Sequence, residues 1–215
     1  MKAIYSNLIS PTIKRLPSYL IIIEDALRAG EQFISGTQIA KELDLDPIQV
    51  RKDITQTKAV GIPRRGFKVK DLVKSINEYL NWSDKKNAVI IGAGNLGSAL
   101  MGYQVFRHHQ LHIVAAFDTD RKKTTKKVHG ISVFHSKTLC RFVTTHTVNL
   151  AILTVPSNQA QQVTNMITQC GIRVIWNFTN IRIRVQDPVI VWKEDLSSGY
   201  AMLSVMMKYQ NSSQS

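Results

Sequence analysis

The sequence predicts an α/β protein in which a small helical domain precedes a doubly wound parallel sheet and a separate C-terminal helix. Three observations support this prediction. Apolar residues recur at helical spacing before residue 60, short apolar runs alternate with helical segments between residues 87 and 192, and a further apolar helix follows residue 196. Strands that alternate with helices in this way form parallel sheets with helices on both faces.

The composition suits a protein with a substantial core. The chain has 215 residues, of which 44% are hydrophobic and 20% are charged, and this size fits one or two domains. No apolar run approaches the roughly 20 residues of a membrane helix, and no charged-then-apolar leader precedes the first helix. We therefore expect a cytoplasmic protein that does not contact a membrane.

Neither the cysteines nor the histidines are spaced as a functional site. Cys140 and Cys170 lie in separate helical segments without C-x-x-C spacing, so we expect them to be core thiols rather than a redox pair. The six histidines have no metal-ligand spacing with cysteine or acidic neighbours. We expect no bound metal.

The first 82 residues predict a winged-helix domain. Helical periodicity and turn residues indicate a helix-turn-helix over about residues 18–57 and a wing, made of two strands and a turn, over about residues 60–69. A helix at residues 69–80 closes the domain.

Capping residues mark the ends of these helices. Gly30 ends the first helix, which starts near Pro11, and Ser35 or Thr37 caps a second helix over residues 34–43. The sequence Asp46-Pro47 then supplies an N-cap and a first helical residue for a third helix.

In a helix-turn-helix, the second helix enters the major groove of DNA and its first residues contact base edges. The polar residues of this predicted helix that face outward are Gln49, Arg51, Lys52 and Thr55. Arginine and glutamine suit bidentate base contacts, and lysine suits phosphate. Arg64 and Arg65 in the wing suit phosphates or a narrow minor groove. The alternative interpretation is a charged helix face that contacts only solvent.

Positive charge is concentrated in this part of the chain. The formal net charge is +13 and the pI is about 9.9, which indicates a polyanionic partner. Between residues 51 and 70, seven basic residues accompany a single acid, Asp53. Such a concentration is typical of a surface that contacts nucleic acid.

Residues 83–192 predict the parallel sheet. Its strands are expected at residues 87–91, 112–118, 131–134, 148–156, 171–178 and 189–192. One helix is expected to run from the end of the first strand to about residue 109, and another from residue 157 to residue 170.

The first strand leads into Gly92-Ala93-Gly94-Asn95-Leu96-Gly97, which has the G-x-G-x-x-G spacing of a dinucleotide-binding turn. The first glycine permits the tight turn, the second lets a pyrophosphate approach the backbone, and the third lets the helix pack on the strand. Asn95 is a candidate cap for that helix. Glycine-rich turns also occur for purely structural reasons, so the motif alone leaves both interpretations open.

The second strand ends in Asp118, near the place where a dinucleotide-binding fold holds the acid that bonds the adenosine ribose. A carboxylate there favours NAD over NADP, although the Arg-Lys-Lys sequence at residues 121–123 could receive a 2′-phosphate. The alternative is that Asp118 serves only a turn with Asp120. The basic segment at residues 121–127 is expected to be a solvated loop.

Residues 193–215 predict a C-terminal helix and tail. This helix has more apolar surface than a lone terminal helix exposes to water. Its members are Tyr200, Leu203, Val205, Met206, Met207 and Tyr209. Either the core of its own domain or a second copy of the chain must cover it. We favour exchange of this helix in a homodimer, because a helix-turn-helix protein of this kind binds a two-fold site.

A winged helix followed by a single dinucleotide-binding domain, in a chain of this length, resembles the Rex family of bacterial redox-sensing transcriptional repressors. The likeness covers nearly the whole chain. The segments similar to the family's motifs are residues 12–20, 49–53, 92–97, 102–103, 115–118, 155–156, 177–178 and 195–196.

The resemblance implies a homodimeric repressor, not an enzyme, that binds palindromic operator DNA when free or NAD+-bound and is released by NADH. It implies a cofactor site made of the glycine turn together with Asp118, Thr154, Val155, Pro156, Asn177 and Phe178. It also implies a switch between the domains made of Arg15, Tyr103 and Asp195. In that switch the carboxylate pairs with the arginine in one state and with the tyrosine hydroxyl in the other; alternatively, Tyr103 is a packed helix residue and Arg15 a surface cation.

Two other functions fit parts of the pattern. A dehydrogenase needs an acid–base residue and a substrate site, usually from a second domain, and the basic winged helix leaves no residues for one. The second alternative is a protein that binds coenzyme A. Asp118 and the full glycine triplet argue against it, because they favour a dinucleotide. Residues 54–65 depart from the family's pattern, so the resemblance implies no particular operator sequence.

Overall fold

In the computed structural model, which describes residues 10–195 and 197–212, the chain forms two compact units, Met1–Asp84 and Lys85–Ser215. The boundary lies close to the expected one at residue 82. Leu80 and Trp82 pack against the apolar core of the first unit, so the chain leaves that unit only after the tryptophan.

From residue 10 to residue 84, the described part of the N-terminal unit contains four helices. They are α1 (Pro11–Arg28), α2 (Gly36–Glu42), α3 (Pro47–Gln56) and α4 (Val69–Tyr79). Their apolar faces meet in one core, which is made of Leu16, Tyr19, Leu20, Ile23, Ile39, Val50, Ile54, Leu72 and Ile76, all essentially inaccessible to solvent. This arrangement confirms the predicted helix-turn-helix.

The caps of the two central helices follow from local hydrogen bonds. Ser35 forms a capping box: its hydroxyl accepts from Gln38 N–H, and the Gln38 side chain accepts from Ser35 N–H. The carboxylate of Asp46 accepts from the N–H of Ile48, with Pro47 as the first helical residue. Of the two cap candidates for α2, Ser35 is therefore the cap.

The wing differs from the predicted two-stranded hairpin. Strand β2 (Phe67–Lys68) does not return along residues 60–62 but pairs antiparallel with β1 (Phe33–Ile34). Only one bridge, between Ile62 and Gly66, closes the turn. The helix predicted over residues 34–43 therefore begins too early: Ile34 belongs to β1, where it pairs with Phe67, and α2 starts at Gly36.

The C-terminal unit is built on a seven-stranded sheet. Its strands are β3 (Lys86–Ile91), β4 (Leu111–Asp118), β5 (Lys127–Val128), β6 (Ile131–His135), β7 (Leu150–Leu153), β8 (Val174–Asn177) and β9 (Ile190–Lys193), in the order β5-β6-β4-β3-β7-β8-β9. All pairs are parallel except β5 with β6. The basic segment expected to be a loop thus ends in a short edge strand at Lys127.

Both faces of this sheet are covered, which explains its continuous apolar strands. Along β3, Val89 and Ile91 belong to one buried cluster, and Ala88 and Ile90 to the cluster on the other face. Successive residues of a strand point to opposite faces, so a strand that is buried throughout indicates a layer on each side. The predicted doubly wound fold is confirmed.

The helices of this unit are α5 (Asn95–Met101), α6 (Gln104–His108), α7 (Leu139–Thr145), α8 (Ser157–Gln169) and α9 (Ser197–Ser212). The single helix expected from the glycine turn to about residue 109 is interrupted at Gly102 and Tyr103. A Cβ on Gly102 would lie 2.8 Å from the ring of His129, which explains the glycine at this break. Gly94, not Asn95, is the N-cap of α5, and its first turn has no side-chain cap bond.

The prediction for the cysteines is wrong. Cys140 in α7 and Cys170, directly after α8, are joined by a disulfide with a Cα–Cα distance of 4.5 Å. Their separation of 30 residues in sequence gave no sign of pairing. The fold brings them together because α7 and α8 pack as neighbours.

Two further properties concern the described residues only. None of their helices combines the length and apolarity that a bilayer span requires. Likewise, among residues 10–195 and 197–212 no three His, Cys, Asp or Glu side chains are grouped as metal ligands.

Candidate functional sites

A large cavity lies at the carboxyl ends of β3, β4 and β7. Its volume is about 990 Å³, which is in the range of pockets that hold cofactors. Among the predicted cofactor residues, those that line it are Gly92, Gly94, Asp118, Thr154, Val155 and Pro156. In an open parallel sheet, ligands bind at this edge, in the crevice beside the first strand.

The three glycines of the turn meet different surroundings. Gly92 has a φ of +104°, which side chains rarely adopt, and a Cβ on Gly97 would lie 2.0 Å from the carbonyl oxygen of Gly92. A Cβ on Gly94, in contrast, would have no atom within 4 Å. Two glycines thus permit the turn and its packing, and the third leaves open space on the cavity side.

Asp118 is fixed at the end of β4 by three donors. Its Oδ2 accepts from Ala93 N–H at 2.8 Å and from the Lys123 ammonium at 3.2 Å, and its Oδ1 accepts from Asp120 N–H at 2.9 Å. Burial alone would raise the pKa of this carboxyl, but the bonds from Asp120, Lys123 and Ala93 together lower it. A carboxylate that is ionised at neutral pH therefore faces the cavity, and it holds both the glycine turn and its own loop in place.

The other predicted cofactor residues have mainly structural surroundings. Thr154 lines the cavity and also donates to the Gly92 carbonyl at 2.8 Å, which ties β7 to the glycine turn. Asn177 is fully buried, and its side chain bonds to Thr179 and to the Ile181 carbonyl. The residues of the predicted set that are not in the cavity lining are Ala93, Asn95, Leu96, Gly97, Asn177 and Phe178.

Sequence reasoning missed the helix that forms one wall of the cavity. The residues of α8 that line it are Gln159, Gln162, Val163, Asn165, Met166 and Gln169. A signal for this wall exists: α8 begins directly after Val155-Pro156, at the ligand edge of the sheet, and it carries glutamines at helical spacing. Lys123 also lines the cavity, although the sequence predicts a solvated loop at residues 121–127, with a 2′-phosphate as the candidate ligand of residues 121–123.

In the N-terminal unit, α3 exposes one face and buries the other. Arg51, Lys52 and Thr55 are exposed, as predicted for residues that face DNA. Arg51 also donates to the Thr37 hydroxyl at 3.2 Å. The buried side of α3 holds Val50 and Ile54 in the core.

Gln49 does not extend from this face as expected. It is only partly exposed, and its amide donates to the carboxylate of Asp53 at 3.0 Å. The spacing of four residues places the two side chains on the same side of the helix. The sequence gave no reason to expect that Asp53 would be buried and would need this donor.

Asp53 is inaccessible to solvent and accepts bonds from several residues. The Arg15 guanidinium donates twice, at 2.7 and 2.9 Å, and the hydroxyls of Thr12 and Tyr19 each donate at 2.7 Å. Burial would raise the pKa of Asp53, but the bonds from Arg15, Thr12 and Tyr19 lower it to about 2. Burial and the bond to Asp53 raise the pKa of Tyr19 to about 12. This cluster fixes α1 against α3.

The wing presents its two arginines differently. Both are exposed, but the guanidinium of Arg65 lies 4.4 Å from the centre of the Phe33 ring, a cation–π contact. Arg64 has a φ of +62° at the tip of the turn. A Cβ on the adjacent Gly66 would lie 2.4 Å from the Ile34 carbonyl oxygen, so the turn that carries the arginines depends on this glycine.

The three predicted switch residues each have local partners. Arg15 pairs with Asp53 within the N-terminal unit. In the C-terminal unit, Tyr103 is half-exposed and packs edge-to-face on Phe106, and Asp195 accepts from Ser197 N–H at 3.0 Å. The arginine is thus a partner of a buried carboxylate as well as a candidate switch residue.

Comparison with known proteins identifies the family. A family model described as "CoA binding domain" matches residues 83–181, and one described as "Putative DNA-binding protein N-terminus" matches residues 9–55. The redox-sensing transcriptional repressor Rex of Treponema denticola is 53% identical over 198 residues, which are 92% of this chain and 94% of that protein. The chain belongs to the Rex family. Its relatives in that family are named as transcriptional repressors, not enzymes.

Solved structures of the Rex-family repressor RSP have the same fold. RSP in complex with NAD+ and operator DNA superimposes with a TM-score of 0.84 at 27% identity, over 94% of each chain. RSP in complex with NADH superimposes with a TM-score of 0.83 at 26% identity, over 94% of this chain and 95% of the RSP chain. The two-part architecture is therefore that of Rex repressors over nearly the full length.

Proposed function

We propose that this Rex-family chain is a transcriptional repressor that senses the ratio of NADH to NAD+. It binds operator DNA when free or NAD+-bound and leaves the DNA when NADH binds. The observation that carries this proposal is the presence, in one chain, of an open glycine-turn cavity with an ionised Asp118 and of a helix-turn-helix with an exposed basic face. A protein of this kind acts on the chromosome, which in bacteria lies in the cytoplasm.

The cavity fits a dinucleotide in two respects. The space beside Gly94 admits a pyrophosphate close to the backbone, and the Asp118 carboxylate is available to ribose hydroxyls at the end of the neighbouring strand. When bound, NADH or NAD+ supplies a nicotinamide whose redox state the protein reads. The residues assigned to hold it are Gly92, Ala93, Gly94, Asn95, Leu96, Gly97, Asp118, Thr154, Val155, Pro156, Asn177 and Phe178.

The DNA interface is assigned to the exposed face of α3 and to the wing. Arg51, Lys52 and Thr55 contact the major groove, and Arg64 and Arg65 contact phosphates or the minor groove. Gln49 contributes to this interface only if it leaves Asp53. The partner is a palindromic duplex, because a two-fold dimer presents two such helices.

Dimer formation is assigned to α9. All its large apolar side chains are more than half exposed in the single chain, from 52% for Met207 to 71% for Tyr200. A two-fold partner that receives this helix removes the apolar surface from water.

The switch is assigned to Arg15, Tyr103 and Asp195. Because Arg15 already pairs with Asp53, a switch through Asp195 requires the arginine to share or exchange its carboxylate partner. The variant Asp195→Ala is expected to bind operator DNA but to respond weakly to NADH. An unchanged response would remove these residues from the proposal.

Coenzyme A remains the second candidate ligand, because the model matching residues 83–181 is described as a CoA binding domain. Competition titration of the protein with fluorescent NADH separates the two. We expect NAD+ to displace NADH and coenzyme A at the same concentration to leave it bound. Displacement by coenzyme A alone would reassign the cavity.

In vitro transcription from a promoter that contains a palindromic operator tests the whole proposal. The protein alone and the protein with NAD+ are expected to suppress the transcript, and NADH is expected to restore it. Equal transcript levels under the three conditions would contradict the proposed function.

A further inference from the structure

The exposed face of α3 contains one apolar residue. Ile48 is 58% exposed, and it lies three, four and seven positions before Arg51, Lys52 and Thr55, which are all exposed. Residues at this spacing share one face of a helix. An isoleucine thus occupies the N-terminal end of the polar face that the proposed function assigns to DNA.

The fold does not require isoleucine at this position. Its side chain is not part of the N-terminal core, and the cap of α3 uses only its backbone N–H, which donates to Asp46. The residue that follows, Gln49, donates to Asp53. Ile48 is therefore the first side chain of α3 that extends outward, and in a helix-turn-helix the first residues of this helix contact base edges.

We propose that Ile48 reads the 5-methyl group of a thymine in the major groove of the operator. Thymine is the base that presents a methyl group in that groove, and apolar side chains recognise it by direct contact. The exposed side chain of Ile48 has no polar atom that could form a hydrogen bond with a base edge, so a methyl group is the partner that it fits. The proposal rests on the proposed DNA-binding function and adds a specificity-determining residue to it.

Replacement of thymine by deoxyuridine tests this directly, because it removes the methyl group and leaves every hydrogen-bonding atom in place. The full-length protein is first used to select an operator from a library of random palindromic duplexes. Each thymine of one half-site is then replaced in turn, and affinity is measured by fluorescence anisotropy. For the unmodified protein we expect a loss of about fourfold at one position, since burial of one methyl group contributes about 0.8 kcal/mol.

Variants assign this loss to the side chain. Ile48→Ala is expected to bind the thymine operator about as weakly as the unmodified protein binds the deoxyuridine operator, and to be insensitive to the replacement. Ile48→Val keeps a branched side chain and is expected to keep part of the sensitivity. The matched control is Ile21→Ala, which replaces an isoleucine that is 60% exposed on α1. This variant is expected to keep the full sensitivity to deoxyuridine.

Two results would overturn the proposal: tolerance of deoxyuridine at every position, or equal sensitivity of Ile48→Ala and the unmodified protein. If the protein still binds the operator and still responds to NADH, either result refutes only the role of Ile48 and leaves the proposed function standing. Failure to select any operator contradicts the proposed function itself.

The disulfide carries a second inference, independent of the first. Cys140 is exposed, and Cys170 is nearly buried directly after Gln169, the last residue of α8. Gln169 and Met166 line the proposed dinucleotide cavity. The bond therefore joins the end of a cavity wall to the neighbouring helix α7.

In the compartment where a repressor meets the chromosome, thiols are kept reduced, and the disulfides that occur there are mostly transient or redox-sensing. We infer that the Cys140–Cys170 disulfide is a second redox input to this protein. A low-molecular-weight thiolate attacks the exposed Cys140 sulfur, a mixed disulfide forms, and Cys170 leaves as a thiolate that takes up a proton. A second reductant thiol then releases Cys140, so the pair gains two electrons and two protons while two reductant thiols become one disulfide.

Oxidation fixes the C-terminal end of α8, and reduction frees it. We therefore expect reduction to weaken NADH binding by at least fivefold, the lower end of usual coupling between sites. NADH affinity is measured on the full-length protein before and after treatment with dithiothreitol, and alkylation with mass spectrometry counts the free thiols.

The matched control is the double variant Cys140→Ser, Cys170→Ser. Its NADH affinity is expected to equal that of the reduced protein and to stay the same when dithiothreitol is added. Two results would overturn the inference. One is an NADH affinity of the unmodified protein that stays the same after both thiols have been freed. The other is a protein that still has two free thiols after treatment with glutathione disulfide. If NADH does not bind in either state, the proposed cofactor is wrong instead.

Discussion

At the scale of single residues, one turn shows why a sequence motif needs its surroundings to be interpreted. Gly92 and Gly97 are required by the backbone, through a positive φ and a close approach to a carbonyl, whereas Gly94 has open space around it. A motif formed for structural reasons alone would explain the first two. The space at Gly94 is what a ligand needs.

Paired alanine substitutions separate these roles. Gly94→Ala is expected to leave the free energy of unfolding within about 0.5 kcal/mol of the original but to lower NADH affinity at least tenfold, because its Cβ occupies the pyrophosphate space. Gly97→Ala is expected to lower the free energy of unfolding by about 1 to 3 kcal/mol through overpacking against Gly92. Urea unfolding and NADH titration measure both. Full NADH affinity in Gly94→Ala would contradict the assigned site.

Asp53 is the residue whose role the sequence hid most completely. As the single acid in a basic segment it suggests a surface ion, yet it is buried and bonded to Arg15, Thr12, Tyr19 and Gln49. Burial of a carboxylate is tolerated only with such partners. Thr12, Arg15 and Tyr19 come from α1, 34 to 41 residues away in sequence, so no local pattern indicates these partners.

The variant Asp53→Asn is expected to lower the free energy of unfolding of the N-terminal unit by about 3 kcal/mol, because it leaves the Arg15 cation without its carboxylate. The pKa of Asp53 is lowered to about 2 from an ordinary value of 3.8, so its contribution is present above pH 4 and is lost as the pH falls through 2. Urea unfolding between pH 6 and pH 2 measures both effects. Equal acid sensitivity in the two proteins would contradict this account.

At the scale of elements, local signals predicted the helices of the N-terminal unit well. Ser35, Asp46 and Pro47 mark helix starts by hydrogen bonds or backbone angles that depend on adjacent residues only. The wing was predicted less well, because its return strand pairs with Phe33–Ile34, far away in sequence. The break at Gly102 and the disulfide likewise depend on neighbours that only the fold brings close.

The exposed face of α3 yields a prediction about salt. Lys52→Gln is expected to weaken binding to operator and to unrelated duplex by similar factors, and to reduce the slope of log affinity against log salt by about 1, because one phosphate contact is lost. Anisotropy titrations at several salt concentrations measure this. Lys74→Gln, at an exposed lysine of α4 that pairs with Glu78, is the matched control and should leave the slope unchanged. A loss confined to the operator would assign Lys52 to a base instead.

At the scale of the whole molecule, the sequence predicted the fold class because strands buried on both faces are continuous apolar runs. It also predicted the ligand edge of the sheet, since Asp118 ends β4 there and Gly92 and Pro156 follow the ends of β3 and β7. It did not predict the α8 wall, whose glutamines form no known motif. The single chain leaves α9 with its apolar side chains exposed, and this exposure supports the proposed homodimer.

Acidic substitutions on the apolar side of α9 test whether this helix forms the dimer. Leu203→Glu combined with Met206→Glu is expected to produce a monomer by light scattering after size exclusion, and to lower affinity for a palindromic operator at least a hundredfold, because one DNA-binding domain must then bind alone. Helical spacing places Ser204 with Lys208 on the polar side of α9, so Ser204→Glu is the control and should remain a dimer. If the double variant is still a dimer, the dimer interface does not lie on α9.

The most direct test of redox sensing is one anisotropy titration of the protein onto a palindromic operator duplex at fixed salt, performed without ligand, with NAD+ and with NADH. A swing from 99% bound to 1% bound requires NADH to prefer the DNA-free state by about 5.5 kcal/mol. We predict a sharp loss of affinity with NADH only. Equal affinity under all three conditions would contradict the account and would mean that the cavity beside Gly94 senses another ligand.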